Sequence, residues 1–158
     1  MTLIEVEGQQ TNNNLIGKWK LTSITFSGGI TFDKDSLTSS YKQFFQKQKQ
    51  QVYKGKISEN DSLFIQYQFE KAVNDVSKMF IQFKKNNIYV TNHYDNGELT
   101  DKTESGRYNY NKSTRTINSY KASSKRLVAK YKVISLTEDL LIMKTTDGTI
   151  MKCKRTLE

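Results

Sequence analysis

Residues 79–97 read MFIQFKKNNIYVTNHYDNG, and this stretch indicates the fold class. Apolar residues recur at every second position on both sides of Asn86-Asn87, at Met79, Ile81, Phe83, Ile88 and Val90. Such alternation is typical of β-strands that bury one face. Asn96-Gly97 closes the stretch with the dipeptide that most favours a tight hairpin turn. The stretch therefore predicts two antiparallel strands and a hairpin into a third.

The two-residue period continues to the C-terminus, where short polar turns separate five further predicted strands. One more strand comes first, because Trp19 and Leu21 alternate and the pattern then shifts to Ile24 and Phe26, as in a bulged strand. The sequence thus predicts eight strands. Because the turns are short, strands that are consecutive in sequence are expected to pair in antiparallel fashion. If the sheet closes into a barrel, the first and last strands pair with each other and no unpaired edge strand remains. We therefore predict a mainly β protein, an eight-stranded antiparallel up-and-down barrel whose interior is filled by side chains or holds one small ligand.

Residues 27–78 lose this period and form a largely helical insertion after the first strand. Apolar side chains recur at helical spacing in two sets, Leu37, Tyr41, Phe44, Phe45 and Val52, then Ile65, Phe69, Ala72 and Val76. Asp35 or Ser36 is expected to cap the first helix. Residues 59–62 are expected to break the chain between the two helices.

Length and composition allow one domain, residues 15–158, preceded by a flexible polar leader, residues 1–14. No apolar stretch reaches the roughly 18–20 residues of a membrane-spanning helix.

One Cys and one His exclude a disulfide framework and a metal centre built from Cys or His, so we expect no metal and no cofactor. The sequence opens without an export signal. Either the protein is cytoplasmic, or it is periplasmic or tethered to the envelope after removal of such a signal.

Side chains with catalytic potential are scarce. His93 is expected at the surface beside the Asn-Gly turn, and Cys153 is expected to be a buried, inert thiol. Asp33-x-Asp35 begins like a calcium loop, but Leu37 occupies the third ligand position. We therefore expect no enzyme.

The net charge of +9 is concentrated in one part of the chain. Residues 102–158 contain thirteen Lys and Arg and five acidic residues, a net charge of +8. A basic face of this kind can attract an acidic protein or an anionic surface, or it can simply be solvated. Aromatic residues beside Lys could stack nucleic-acid bases, but the same alternation is expected of a barrel wall, so nucleic acid is not the expected partner.

Three motifs in order resemble those of bacterial lipocalin-like domains, in the lipocalin superfamily. They are Gly17-Lys18-Trp19, Gly106-Arg107-Tyr108 and the run YKVISLTEDLL at residues 131–141. The similarity covers residues 15–157 apart from the insertion. It implies that Trp19 plugs one end of the barrel, that Arg155 lies across it in a cation–π contact, and that Gly17, Trp19 and Arg155 are structural closure residues.

The resemblance implies a non-enzymatic binding protein that holds a small apolar or amphipathic ligand in the barrel. The predicted lining residues share an expected inward face, and they are Leu21, Ile81, Phe83, Val90, Tyr108, Tyr131 and Ile142. The alternative is a protein-interaction module, an inhibitor or immunity-type binder with a filled barrel, which meets an acidic partner through its basic strands or inserted helices. A cavity of about 300 Å³ or more would favour the ligand carrier.

Overall fold

The computed structural model describes residues 14–157, so the predicted leader lies outside the described residues except for Asn14. The strands are β1 (Gly17–Thr25), β2 (Thr31–Asp33), β3 (Phe80–Lys84), β4 (Ile88–Asp95), β5 (Glu98–Asn111), β6 (Thr116–Lys121), β7 (Leu127–Leu136), β8 (Leu140–Thr145) and β9 (Ile150–Thr156). The helices are α1 (Leu37–Gln51) and α2 (Glu59–Lys78), both between β2 and β3. Among these residues, no helix is long and apolar enough to span a bilayer.

Eight of the strands form a closed antiparallel barrel, which confirms the predicted fold class. Strands β3 to β9 pair in sequence order, and β1 pairs with both β3 and β9, so the first strand meets the last. The register of β1 against β9 shifts between Leu21 and Ser23. This bulge turns Ile24 to the inner face, as predicted, whereas Phe26 lies beyond the end of β1 and is 43% exposed.

Strand β2 is a ninth strand that the sequence analysis missed. It pairs with the end of β1 from Ser23 to Thr25, beyond the part of β1 that pairs with β3. Three residues are too few to show a two-residue period, so no pattern in the sequence indicates this strand.

The direction of each strand determines at which end of the barrel the loop that follows it lies. Because neighbouring strands alternate in direction, the helical insertion, the β4–β5 turn, the β6–β7 loop and the β8–β9 turn share one end, here called the insertion end. The start of β1 and the end of β9 lie at the opposite end, here called the closed end.

Aromatic residues attach the two helices to the sheet. Phe69 of α2 lies 5.6 Å from Phe32 of β2 and 5.8 Å from Phe44 of α1, measured between ring centroids. Ile65, Phe69 and Val76 of the predicted apolar set are buried. Lys71 of α2 also pairs with Glu98 at 3.1 Å, which links the helix to the β4–β5 hairpin.

The helix starts differ in detail from the predictions. Ser36 is the N-cap of α1, but its side chain makes no capping hydrogen bond. Residues 59–62 do not break the chain, since α2 begins at Glu59. Ser58 accepts a hydrogen bond from the Asp61 N–H through its side chain, and the Asp61 carboxylate accepts one from the Ser58 N–H. This capping box uses the polar residues that suggested a break.

Two predicted inner positions are wrong. Val90 is paired with Gln82, whereas its neighbour Tyr89 is buried and faces inward. Ile142 is paired with the exposed Lys152. Since residues directly opposite on paired strands share a face, Val90 and Ile142 lie on the outer face.

Candidate ligand-binding site

A cavity of about 220 Å³ lies inside the barrel, toward the insertion end. Its aliphatic and sulfur-containing lining residues are Leu21, Ile24, Met79, Ile81, Met143, Met151 and Cys153. Its aromatic lining residues are Trp19, Phe80, Tyr94 and Tyr131. Thr91 and Asn92 complete the wall, which is therefore mostly apolar.

Strand register brings these side chains together from distant parts of the chain. Trp19 is directly opposite Ile81 across β1 and β3, and Ile24 is directly opposite Met151 across β1 and β9. Met143 in turn is opposite Met151 across β8 and β9. Opposite residues on paired strands project to the same face, so closure of the barrel places these side chains around one space.

Three methionines give the cavity a deformable wall. Met79, Met143 and Met151 all line it. A methionine side chain is unbranched and rotates about three bonds, so it adapts to irregular shapes. The cavity can thus adjust to a ligand without movement of the strands.

The polar groups at the cavity differ in what they can offer a ligand. Thr91 donates a hydrogen bond to the Phe80 carbonyl oxygen at 2.7 Å, and the Asn92 side-chain oxygen accepts one from the Phe80 N–H at 2.8 Å. These groups already serve to hold the start of β3. Tyr94 is 44% exposed, so water can reach it.

Tyr131 is the polar residue that stands out. Its hydroxyl makes no hydrogen bond with any residue between 14 and 157. Burial raises the pKa of Tyr131 to about 12, with smaller contributions from Tyr89 and Cys153. The phenol therefore stays protonated at neutral pH and remains a hydrogen-bond donor inside an apolar wall. Ser119, on the inner face of β6, has a buried hydroxyl without a hydrogen-bond partner among residues 14–157.

The closed end of the barrel is sealed by Arg155. Its guanidinium carbon lies 4.3 Å from the centroid of the Trp19 ring, and its nitrogens donate to the carbonyl oxygens of Asn14, Ile16 and Glu138. A Cβ atom at Gly17 would clash with an Arg155 guanidinium nitrogen, so glycine leaves room for this crossing. The Trp19 indole N–H donates to the Leu15 carbonyl oxygen at 2.8 Å.

Side chains fill the half of the barrel toward the closed end. Phe83 and Tyr108 pack edge to face with ring centroids 4.9 Å apart, and the Tyr108 hydroxyl donates to the Lys84 carbonyl oxygen. Ile117, Val133 and Leu141 are buried with them in the core. The barrel is therefore part filled and part hollow.

The seven predicted lining residues separate into three groups. Leu21, Ile81 and Tyr131 line the cavity. Phe83 and Tyr108 are interior but belong to the filled half. Val90 and Ile142 face outward, as described above. Met143 also lines the cavity but was not predicted, although alternate residues counted from Leu141 include it.

The two candidate catalytic side chains are poorly placed for chemistry. Burial raises the pKa of the Cys153 thiol to about 12, so it is not a thiolate at neutral pH. His93 lies outside the cavity lining and pairs with Glu104 at 3.3 Å on an exposed surface. Within residues 14–157, no group of three or more His, Cys, Asp or Glu side chains could hold a metal ion.

Comparison with known proteins shows similarity of fold. No protein-family model matches the chain, and no curated protein sequence matches it. Among solved structures, it is similar to a lipocalin-like protein from Bacteroides uniformis, with a TM-score of 0.50 and 15% identity over 90% of this chain and 99% of that one. It is also similar to a DUF4847 family protein from Bacteroides vulgatus, with a TM-score of 0.54 and 11% identity over 93% of this chain and 97% of that one. The fold is lipocalin-like, as the three sequence motifs indicate.

Proposed function

From a lipocalin-like barrel with an apolar cavity, we propose that this protein binds one small apolar or amphipathic molecule and performs no chemistry on it. The observation that carries the proposal is Tyr131, which lines the apolar cavity and whose hydroxyl has no hydrogen-bond partner among residues 14–157. This phenol can donate a hydrogen bond to a ligand oxygen and so hold the polar end of an otherwise apolar molecule.

The size of the cavity restricts the ligand. At about 220 Å³ it is smaller than the roughly 300–1,000 Å³ typical of pockets for drug-sized molecules. It also falls short of the volume that would by itself favour a ligand carrier over a filled interaction module. The expected ligand is therefore short: an apolar body that contacts Met79, Ile81 and Met151, with one acceptor oxygen at Tyr131.

The absence of chemistry is part of the proposal. The Cys153 thiol stays protonated at neutral pH, and His93 lies outside the cavity, which leaves the wall without an activated nucleophile or a general base. Binding without turnover is the role that this wall supports best.

A second candidate, the protein-interaction module, is supported by a different surface. Leu63, Phe64 and Tyr67 of α2 are each more than half exposed, and they lie at the i, i+1 and i+4 positions of one helix side. Exposed apolar clusters of this kind mark contact surfaces. Substitution of these residues leaves ligand affinity unchanged if the cavity is the functional site.

Thermal denaturation with a panel of ligands tests the proposal. The panel comprises straight-chain alkanols, ketones and fatty acids of about four to ten carbons, and we expect a rise in Tm for the shorter members. Ile81→Phe fills the cavity and is expected to abolish the rise. Val90→Phe adds a ring of the same size on the outer face and is the matched control. If no ligand raises Tm, or if both variants respond alike, the cavity is not the binding site.

A further inference from the structure

A second concave site lies at the insertion end, separate from the cavity. It is a groove of about 600 Å³ formed by Arg107 and Asn109 of β5, Tyr120 and Lys121 of β6, and the start of the β6–β7 loop, residues 122–125. None of these residues lines the apolar cavity. The two sites can therefore be occupied independently.

Strand register places the groove on the outer wall. Arg107 is directly opposite Tyr120. Their neighbours Tyr108 and Ser119 are buried on the inner face, so Arg107 and Tyr120 project outward. Strand β6 ends at Lys121 and β7 begins at Leu127, and the loop between them forms the remaining wall of the groove.

The groove concentrates positive charge. Arg107, Lys121 and Lys125 line it together with no acidic residue. None of the three forms an ion pair within the part of the chain that the structure describes. A concave surface lined by three cations attracts an anion.

Neutral hydrogen-bonding groups surround these charges. The side chains of Asn109, Tyr120, Ser123 and Ser124 line the same groove, and none of them makes a hydrogen bond with another described residue. Hydroxyl and amide groups of this kind can donate to the oxygens of an oxyanion. The guanidinium of Arg107 offers two parallel N–H donors, a geometry that matches phosphate and similar groups.

We propose that this groove binds a small organic molecule through a phosphate or sulfate ester group. The three cations and the hydroxyls hold the oxyanion. A volume of about 600 Å³ exceeds what a single oxyanion needs, and the Tyr120 ring provides a surface for the organic part of the molecule. This site is independent of the proposed cavity function, because neither its residues nor its ligand chemistry overlaps with the cavity.

Amide chemical shifts in a two-dimensional NMR titration test the proposal. The probes are phenyl phosphate, phenyl sulfate and neutral benzyl alcohol, at fixed pH and about 0.1 M salt. We expect saturable shifts at residues 107 and 120–125 with one or both esters and none with benzyl alcohol. The comparison of the two esters identifies which anion the site prefers.

Charge-removing variants show whether the groove carries the binding. Arg107→Gln and Lys125→Gln are each expected to weaken the ester about tenfold, the usual loss for a charge-assisted hydrogen bond. Lys144→Gln is the matched control, because Lys144 is an exposed lysine of β8 outside the groove. The inference is overturned if shifts spread evenly over the basic strands, if Lys144→Gln weakens binding as much as Lys125→Gln, or if only long polyanions bind.

Discussion

At the scale of single residues, Arg155 does the most to close the barrel. It joins three segments that are far apart in sequence, because its guanidinium donates to the carbonyl oxygens of Asn14, Ile16 and Glu138. The same group covers the Trp19 ring at 4.3 Å. One side chain thus ties the start of β1, the β7–β8 turn and the last strand together.

Replacement of this side chain should be costly. We expect Arg155→Met to lower the free energy of unfolding by about 2–4 kcal/mol, since it removes three hydrogen bonds and a cation–π contact. Arg107→Met is the matched control and should change it by no more than about 0.5 kcal/mol, because Arg107 is exposed and makes no such bonds. Urea denaturation measures both values, and equal losses would contradict this role.

Tyr131 should control affinity for one class of ligand only. Tyr131→Phe removes the unpaired hydroxyl and keeps the ring, so we expect it to weaken an alkanol about threefold to tenfold. The matching alkane makes no hydrogen bond, so its affinity should not fall. Calorimetry of the wild type and the variant with both ligands provides the comparison. Equal weakening of alkanol and alkane would show that the ring matters and the hydroxyl does not.

Alkaline pH should destabilise the protein through two buried acids. Burial raises the pKa of Cys153 from 9.0 to about 12 and that of Tyr131 from 10.0 to about 12. The unfolded chain therefore ionises first, and the stability from these groups is complete below pH 9 and is lost as pH rises toward 12. In urea denaturation between pH 8 and 12, Cys153→Ala should lose less stability than the wild type. Identical pH profiles would contradict the burial of this thiol.

At the scale of elements, the insertion is held by a few aromatic contacts. Phe69 touches Phe32 of β2, and Tyr41 and Phe44 of α1, which makes it the centre of the helix–sheet contact. Phe64 lies on the same helix but is 52% exposed. The two phenylalanines therefore provide a direct comparison within α2.

We expect Phe69→Ala to cost about 3–5 kcal/mol and Phe64→Ala no more than about 0.5 kcal/mol. Hydrogen exchange should show faster exchange in α1 and α2 of the Phe69 variant, while β7 and β8 retain their protection because the barrel closes without the helices. If the barrel strands lose protection to the same extent, the insertion is part of the barrel core and not a separate cover.

The elements themselves were largely predictable from sequence, but the inner face was less so. Alternation and the Asn96-Gly97 turn predicted the strands, and helical spacing predicted both helices, because each pattern spans many residues. The errors at Val90 and Ile142 have one cause. Strands of a small barrel carry apolar residues on both faces, and Ile142 lies between two buried residues, Leu141 and Met143. When both faces of a strand carry apolar residues, composition alone does not show which face points into the barrel.

At the scale of the whole molecule, the fold places an apolar cavity and a basic groove at the same end of the barrel. The hollow part of the barrel is apolar and opens toward the insertion end, and the basic groove lies on the outer wall of that end. The excess of positive charge in residues 102–158 indicated a basic surface but not a groove, because only the β5–β6 register brings Arg107 beside Tyr120. Eight strands left open whether the interior is filled or holds a ligand. The structure shows a cavity whose size depends on how far Phe83 and Tyr108 fill the closed end.

The central claim, that the cavity admits a small ligand, can be measured through Trp19, the one tryptophan of the chain and a cavity-lining residue. A short bromoalkanol such as 6-bromohexanol quenches the emission of a tryptophan that lies a few ångströms away, so a ligand in the cavity beside the buried Trp19 is detected. We predict saturable quenching of Trp19 in the wild type and in Val90→Phe, and its loss in Ile81→Phe. Quenching that never saturates and is the same in all three proteins would contradict the account.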